Sequence, residues 1–333
     1  MTIDPVSWGV LGVANIATQK VIPAMLHSEL SRVDAIASRS SDKAHTAARR
    51  FGIPRSHDSY DALIADPSIE AIYIPLPNHL HLEWTIAAAR AGKHVLCEKP
   101  LALTSADAQR MIDACREAGV KLMEAFMYRL HPLWQAAVDA VSSGRVGELR
   151  AVQTVFSYFN DDPANIRNIA EMGGGALYDV GCYAVNLSRM LFQSEPTAVH
   201  AATRRDAVSG TDVMTSALLE FEHGHSTFIC STQLESSQRV EILGTSGRLV
   251  IEIPFNIPPD RPTRLDHIAG GSPPVSPHVE TVHIPTADPY TVQADAFSRA
   301  IRLDHDVPIP PADAVANLAV IERIFAAAAQ SPD

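Results

Sequence analysis

Two stretches of this sequence carry side chains suited to moving a proton. Glu98-Lys99-Pro100 directly follows the short apolar run His94–Cys97. Proline cannot continue a strand, so Lys99 is expected at a strand's C-terminal edge. An ammonium there can donate to a substrate oxygen, stabilise a developing alkoxide or lower the pKa of a neighbouring acid. The second stretch is Gly173-Gly174-Gly175-Ala176-Leu177-Tyr178-Asp179-Val180-Gly181-Cys182-Tyr183. Its three glycines mark a tightly approached loop before a helix, and Asp179 and Tyr183, four apart, share one helical face. A tyrosine hydroxyl ordinarily ionises at about pH 10, which makes it a poor base at neutral pH, and a neighbouring Lys99 would favour the tyrosinate. Lys99, Asp179 and Tyr183 can thus form one acid–base and orienting set. The plainer alternative has Asp179 bracing the loop and Tyr183 filling a core.

These residues need a scaffold. In residues 1–124, apolar runs at 8–13, 32–38, 71–75, 94–97 and 121–125 alternate with helical spacing at 16–26, 43–51, 57–64, 79–91 and 105–118. That rhythm predicts a parallel sheet covered on both faces, with right-handed crossovers placing every strand-to-helix loop on one edge. The first such loop is Gly12-Val13-Ala14-Asn15-Ile16-Ala17. Gly12 permits the tight turn, Ala14 keeps the backbone close to a pyrophosphate, and Ala17 lets helix and strand pack. The leading amides around Asn15 and Ile16 can receive phosphate. This is the dinucleotide fingerprint with alanine at its second glycine. By itself it also fits a small-residue turn in another α/β protein.

The second strand bears on the choice of dinucleotide. An acidic residue at its end would bind the ribose hydroxyls of NAD, but the strand ends Ala37-Ser38-Arg39-Ser40, with Lys43 one turn on and Asp34 too early. Ser38 and the Arg39 fork suit a 2′-phosphate, so NADP is expected. NAD stays possible if Arg39 only covers the adenine. Pro75, Leu76, Asn78 and His81 after the third strand, and Glu98 and Lys99 after the fourth, are further expected cofactor contacts. His79 and His81 are two apart and do not face the same way. No metal-ligand spacing is present.

The chain has 333 residues with 46% apolar and 20% charged, which suits two globular domains. A formal net charge of −11 argues against a nucleic-acid partner. No apolar run approaches the about 20 residues of a membrane span, and the short N-terminus does not read as a signal peptide, so a cytoplasmic protein is expected. The widely spaced Cys97, Cys115, Cys182 and Cys230 suggest buried thiols rather than a disulfide framework.

Residues 125–333 change character. β-branched runs at 152–158, 197–203, 212–221, 225–232, 237–243, 248–253 and 281–284 are joined by hairpin signals such as Gly244-Thr245-Ser246-Gly247. Helical spacing appears at 133–142, 176–191, 290–302 and 313–329, while 254–278 reads as a loop. An α/β N-terminal Rossmann domain, 1–124, is therefore expected to precede an α+β domain, 125–333. The second domain should hold a large open, mainly antiparallel sheet, and its terminal helix can pack back toward the first. Val152, Thr154 and Phe156 alternate with Gln153, Val155 and Ser157, so both faces are partly apolar there. A homodimer or homotetramer through that sheet is expected. Phe156-Ser157-Tyr158-Phe159 could line either a sugar face or an aromatic-diol pocket, and Asn160, Asp161, Asp162, Asn165 and Arg167 favour a sugar or polyol as substrate.

The ordered set Gly12-x-Ala14-x-x-Ala17, Ala37-Ser38-Arg39, Pro75-Leu76-Pro77-Asn78-x-x-His81, Glu98-Lys99-Pro100 and Gly174-Gly175-x-Leu177-x-Asp179-x-Gly181-x-Tyr183 resembles the glucose–fructose oxidoreductase / inositol dehydrogenase / rhizopine catabolism (Gfo/Idh/MocA) family. The resemblance implies substrate binding in an interdomain cleft. It gives Lys99 the substrate oxygen, Asp179 the sugar hydroxyls and Tyr183 the proton. Many inositol dehydrogenases carry histidine at the last position; tyrosine, with Met127-Tyr128-Arg129-Leu130-His131-Pro132, is similar to the branch of aldose 1-dehydrogenases and dimeric dihydrodiol dehydrogenase. Arg129 is thereby implied to shape the cleft. The expected activity is NADP-dependent oxidation of an aldose such as D-xylose or D-glucose at the anomeric carbon. Sugar-ketone reduction and dihydrodiol oxidation are the alternatives, and a nucleotide-binding sensor is the non-enzymatic one. If Ser38 and Arg39 read a 2′-phosphate, Arg39→Ala will raise KM for NADP far more than for NAD. Equal effects in parallel initial-rate assays would overturn the assignment.

Overall fold

The computed structural model describes residues 4–270 and 276–330. The chain forms two compact units, Met1–Leu130 with Asp288–Val315, and His131–Ala287 with Ala316–Asp333. Residues 288–315 thus cluster with the first unit, although sequence alone would set a single boundary at 124/125.

The first unit holds a six-stranded sheet in the order β3-β2-β1-β4-β5-β6. Its strands are β1 (Val6–Leu11), β2 (Ser31–Ala37), β3 (Arg55–His57), β4 (Ala71–Ile74), β5 (His94–Cys97) and β6 (Leu122–Glu124). Every pairing is parallel, as expected for strands read as continuous apolar runs. The order runs outward from β1 on one side and from β4 on the other. That reversal places the ligand crevice beyond the carboxyl ends of these two strands. Gly9 lies at their centre because a Cβ there would stand 2.6 Å from Leu63 Cδ2.

The helix read over 57–64 starts later than expected: it runs over Tyr60–Ile64, capped by Ser59, and an unexpected edge strand, β3, precedes it over Arg55–His57. Arg-Ser-His has no strand pattern of its own; pairing with Ala35–Ala37 makes it one. The helix Pro289–Arg302 covers this unit's sheet. Trp8 Nε1 donates to Ser298 Oγ at 3.2 Å, and the Trp8 and Phe297 rings lie 5.6 Å apart. Arg302 grips both oxygens of Glu70 at 2.6 Å, and Glu70 also accepts the Ser7 amide at 2.9 Å.

The second unit holds an eight-stranded sheet in the order β14-β13-β12-β11-β7-β10-β9-β8. These are β7 (Leu149–Phe159), β8 (Ala198–Arg205), β9 (Asp212–Phe221), β10 (Gly224–Ser231), β11 (Gln233–Gly244), β12 (Gly247–Ile251), β13 (Thr263–Ala269) and β14 (His278–Ile284). All pairings are antiparallel except β7 with β10. The expected loop over 254–278 therefore contains a strand, β13, while 271–275 lie outside the described residues. Sequence hides β13 because Thr263–Ala269 mixes charged and apolar residues between prolines and glycines. Its ladder with β12 and β14 supplies the order. One sheet face is covered by the helix Cys182–Phe192, whose Val185 and Leu187 are fully buried. The other face carries Gln153, Val155, Leu218 and Ile229, the last 41% exposed. The four cysteines are buried free thiols. No helix among the described residues is long and apolar enough to cross a membrane.

The Glu70–Arg302 pair couples the first unit's stability to pH. The Arg302 guanidinium holds the Glu70 carboxyl below its usual range. The stabilisation is thus present above the ordinary glutamate pKa and is lost as pH falls through the lowered one. Both groups are partly exposed, so the pair contributes only about 1 kcal/mol. Glu70→Gln should lower Tm by about 2–4 °C at neutral pH, a gap that closes below about pH 4 in calorimetric scans.

Candidate active site

In the first unit the cofactor-type residues gather at the carboxyl edge of the sheet. β1 ends at Leu11, and Gly12 turns the chain with φ +109° while its amide donates to Ala37 O at 2.9 Å. The helix after it starts with Asn15 and Ile16, passes through a π turn, Ala17–Val21, and continues as Ile22–Leu26, with no side-chain cap at Ile16. Its leading amides are thus left to an outside acceptor. Ser38 Oγ accepts the Ser40 amide at 3.1 Å, which leaves the hydroxyl proton to donate. Lys43 is an exposed residue in the first turn of the helix Ser41–Phe51, capped by Ser40.

Tyr60 belongs to this cluster, although the sequence does not mark it. Its ring stands edge-on to Trp84 at 4.9 Å, and its hydroxyl comes within 3.6 Å of where a Gly12 Cβ would be. Burial pushes the Tyr60 phenol up, and the Arg39 guanidinium beside it pulls it partly back. A tyrosine following a serine cap gives no signal of its own in sequence; only the closure of the helix onto the Gly12 turn identifies it. A glycine that no Cβ could replace without strain, an uncapped helix start and the Ser38–Arg39 pair together fit a phosphorylated dinucleotide.

His81, expected as a cofactor contact, is used inside the fold. Its ring is fully buried. Nδ1 lies 3.0 Å from Pro100 O and Nε2 2.8 Å from Leu76 O, so it ties the loop after β4 to the loop after β5. Burial lowers its pKa. Pro75, Leu76 and Asn78 line the first of these loops. In the second, Glu98 accepts the Tyr73 hydroxyl at 2.6 Å, and Glu124 accepts the Leu101 amide at 2.7 Å. Lys99, half-buried at this carboxyl edge, joins Pro100 by a cis peptide. Arg129 pairs with Asp313 at 2.5 Å.

In the second unit, Asp179 lies in a π turn, Leu177–Gly181, that runs into the helix Cys182–Phe192 bearing Tyr183. Such turns recur at functional positions. Asp179 Oδ2 accepts Arg167 Nε at 2.8 Å and the Tyr158 hydroxyl at 2.5 Å. Burial and the Asp179 charge raise the Tyr158 phenol, and the same charge raises Arg167. Tyr158 is therefore a neutral donor and Arg167 a fixed cation. Asp179 is a charge-matched acceptor. Tyr183 is 6% exposed and rests against Phe156 at 5.6 Å and Phe255 at 5.1 Å between ring centroids.

Phe255 is likewise unmarked in sequence, since it falls in a stretch that reads as loop. Gln238 Oε1 accepts its amide at 3.1 Å, and Trp134 Nε1 donates to Pro254 O at 2.6 Å, so the loop is pinned on both sides. Other expected substrate groups are used internally. Asn165 Oδ1 accepts the Arg167 amide, and Asn160 and Asp162 take part in turns with Asn168. Phe159 is exposed, whereas Phe156 is buried. Among the described residues no cluster of three or more His, Cys, Asp or Glu could hold a metal ion.

Residues 6–126 match the family model of the Gfo/Idh/MocA oxidoreductases with an NAD-binding Rossmann fold, and residues 134–250 match the Gfo/Idh/MocA C-terminal domain. The chain is 47% identical to an uncharacterized oxidoreductase of Rhizobium meliloti, covering 97% of this chain and 96% of that one. It is 38% identical to D-xylose 1-dehydrogenase (NADP(+)) 2 of Haloferax volcanii, covering 96% and 97%. A crystal structure of a 3-ketoreductase from Actinomadura kijaniata, in complex with NADP and TDP-benzene, superposes with a TM-score of 0.90 at 30% identity, covering 97% and 98%. With both domains matched and relatives aligned along nearly its whole length, this chain belongs to the Gfo/Idh/MocA family of NAD(P)-dependent oxidoreductases.

Proposed function

We propose that this protein is an NADP-dependent oxidoreductase of carbohydrates that reduces a sugar ketone, with Tyr183 as proton donor and Lys99 as the group that polarises the carbonyl. The observation that carries the reading is the likeness to the Actinomadura 3-ketoreductase along almost the entire chain. Solved variants of that reductase replace one lysine and one tyrosine, which stand the same number of residues apart as Lys99 and Tyr183. Oxidation of an aldose at its anomeric carbon, the activity expected from sequence, becomes the second reading, favoured by the Haloferax D-xylose dehydrogenase. Both use the same hydride chemistry in opposite directions.

NADPH, when bound, supplies the hydride from C4 of its nicotinamide. Gly12, the amides following Ala14, Ser38 and Arg39 would hold its phosphates, and the loops tied by His81 would flank the nicotinamide. Lys99 donates a hydrogen bond to the ketone oxygen and stabilises the negative charge that grows on it. Tyr183 transfers its hydroxyl proton to that oxygen; a phenol's ordinary pKa suits a donor at neutral pH. Asp179, its charge matched by Arg167, accepts hydrogen bonds from neighbouring sugar hydroxyls and orients the ring. Phe156 and Phe255 hold the tyrosine ring at one angle. The open face of the second unit's sheet, with Val155, Leu218 and Ile229, is the surface through which we expect a homodimer or homotetramer.

A parallel screen, following NADPH absorbance, tests direction and substrate. One arm offers free and nucleotide-linked 3-keto sugars with NADPH; the other offers aldoses and dihydrodiols with NADP. Faster turnover of aldoses would reverse the order of the two readings. Tyr183→Phe should cut kcat by about 100-fold or more and leave NADPH affinity within about twofold; near-wild-type turnover removes Tyr183 from the proton step. Light scattering should give a mass above the 36.0 kDa of one chain.

A further inference from the structure

Asp212 is a buried acid outside the residues so far given a chemical role. It opens β9 and is 2% exposed. Its Oδ2 accepts the Leu177 amide at 2.7 Å and the Thr215 hydroxyl at 3.2 Å. A Cβ on Gly175 would stand 2.0 Å from Oδ1, so the carboxylate occupies space that only glycine leaves open. Gly175 also has φ +118°, a conformation that side chains disfavour.

The Leu177 amide is the first of the π turn that carries Asp179 and leads to Tyr183. Leading helix amides lack intrahelical acceptors, and an anionic acceptor placed there stabilises the start of the helix. Acceptors elsewhere fasten the same turn. Gly175 N donates to Arg167 O at 2.8 Å, and Arg167 Nε donates to Asp179 at 2.8 Å. Gly174 permits that approach, since its Cβ would lie 2.6 Å from Arg167 O. Asp179 is thus gripped from the loop side, and the backbone before it is gripped from inside the sheet. A slip of one residue in where a helix starts rotates its side chains by about 100°.

We propose that Asp212 is a positioning residue for Asp179 and Tyr183: by accepting the Leu177 amide from β9 it sets where the segment bearing both begins, and so where both point. The proposal rests on the reading of Tyr183 as proton donor. Burial raises the Asp212 pKa to about 6, against the opposing pull of the Leu177 amide, Thr215 and Arg205. Burial raises Tyr178 and Cys230, and the Asp212 charge adds to the shift of both, with Glu322 also acting on Tyr178. An isolated buried acid without a task would gain from replacement by an apolar residue; this one has an amide to hold.

The test compares Asp212→Ala with Asp212→Asn, which keeps an acceptor oxygen in place. Asp212→Ala should lower kcat by about 30-fold or more, the scale of loss that follows small misplacement of reacting groups. KM for NADPH should stay within about twofold, and amide exchange from Leu177 to Tyr183 should quicken. Asp212→Asn should return kcat to within about threefold of wild type. If the alanine variant folds poorly, Asp212→Ser, polar but too short to reach the Leu177 amide, should show the same loss. Wild-type kcat in the truncated variants, or loss of turnover that asparagine does not rescue, overturns the proposal. Tyr183→Phe tests the proton assignment separately, while exchange at Leu177 reads the Asp212 hold whichever way that result falls.

Discussion

The leading amides of a helix have no acceptor within the helix, and this protein uses that constraint in two opposite ways. After β1, the helix entered through Gly12 and Ala14 begins with no side-chain cap, which leaves its amides for an anionic ligand. In the second unit, the segment that carries Asp179 has a leading amide, that of Leu177, filled from within by Asp212. An open start makes a binding site, and a filled start makes a rigid mount. Both segments contain a π turn near their start, and both are entered through glycines at positive φ, Gly12 and Gly175.

Charge is handled with similar economy. The chain is strongly acidic as a whole, yet Arg39 and Arg167 stand among the candidate site residues. Arg39 lies on the edge that a 2′-phosphate would reach. Arg167 matches Asp179, which turns a potential base into an oriented acceptor. Tyr158 reinforces this as a neutral donor whose ionisation is pushed out of reach. Tyr183 also interacts electrostatically with Arg167, and aromatic rings pack against it. Two tyrosines near one carboxylate thus have different surroundings: Tyr158 donates to Asp179, while Tyr183 packs against Phe156 and Phe255.

Much of this was legible in the chain itself. The parallel sheet follows from short apolar runs separated by amphipathic segments, because a strand buried on both faces must be apolar throughout. The phosphate turn, the residues after β5 and the aspartate–tyrosine spacing also follow from residue type, since glycine, proline and helical periodicity act locally. Three features were not legible. β3 and β13 have compositions that specify no strand, and hydrogen bonding to neighbouring strands makes them strands. The helix Pro289–Arg302 joins the first unit through Trp8, Phe297 and the Glu70–Arg302 pair, contacts that span most of the sequence.

The same division runs through the active-site residues. Sequence by itself determined the family and the dinucleotide domain, and it singled out Lys99, Asp179 and Tyr183 as candidates, because those depend on local motifs in fixed order. Tertiary structure alone decided what surrounds them: Tyr60 beside Arg39, the buried His81 between two loops, Phe255 against Tyr183, and Asp212 beneath Leu177. Each of these joins segments distant in the chain, and no local pattern encodes which acceptor a buried donor will find once a sheet has closed around it.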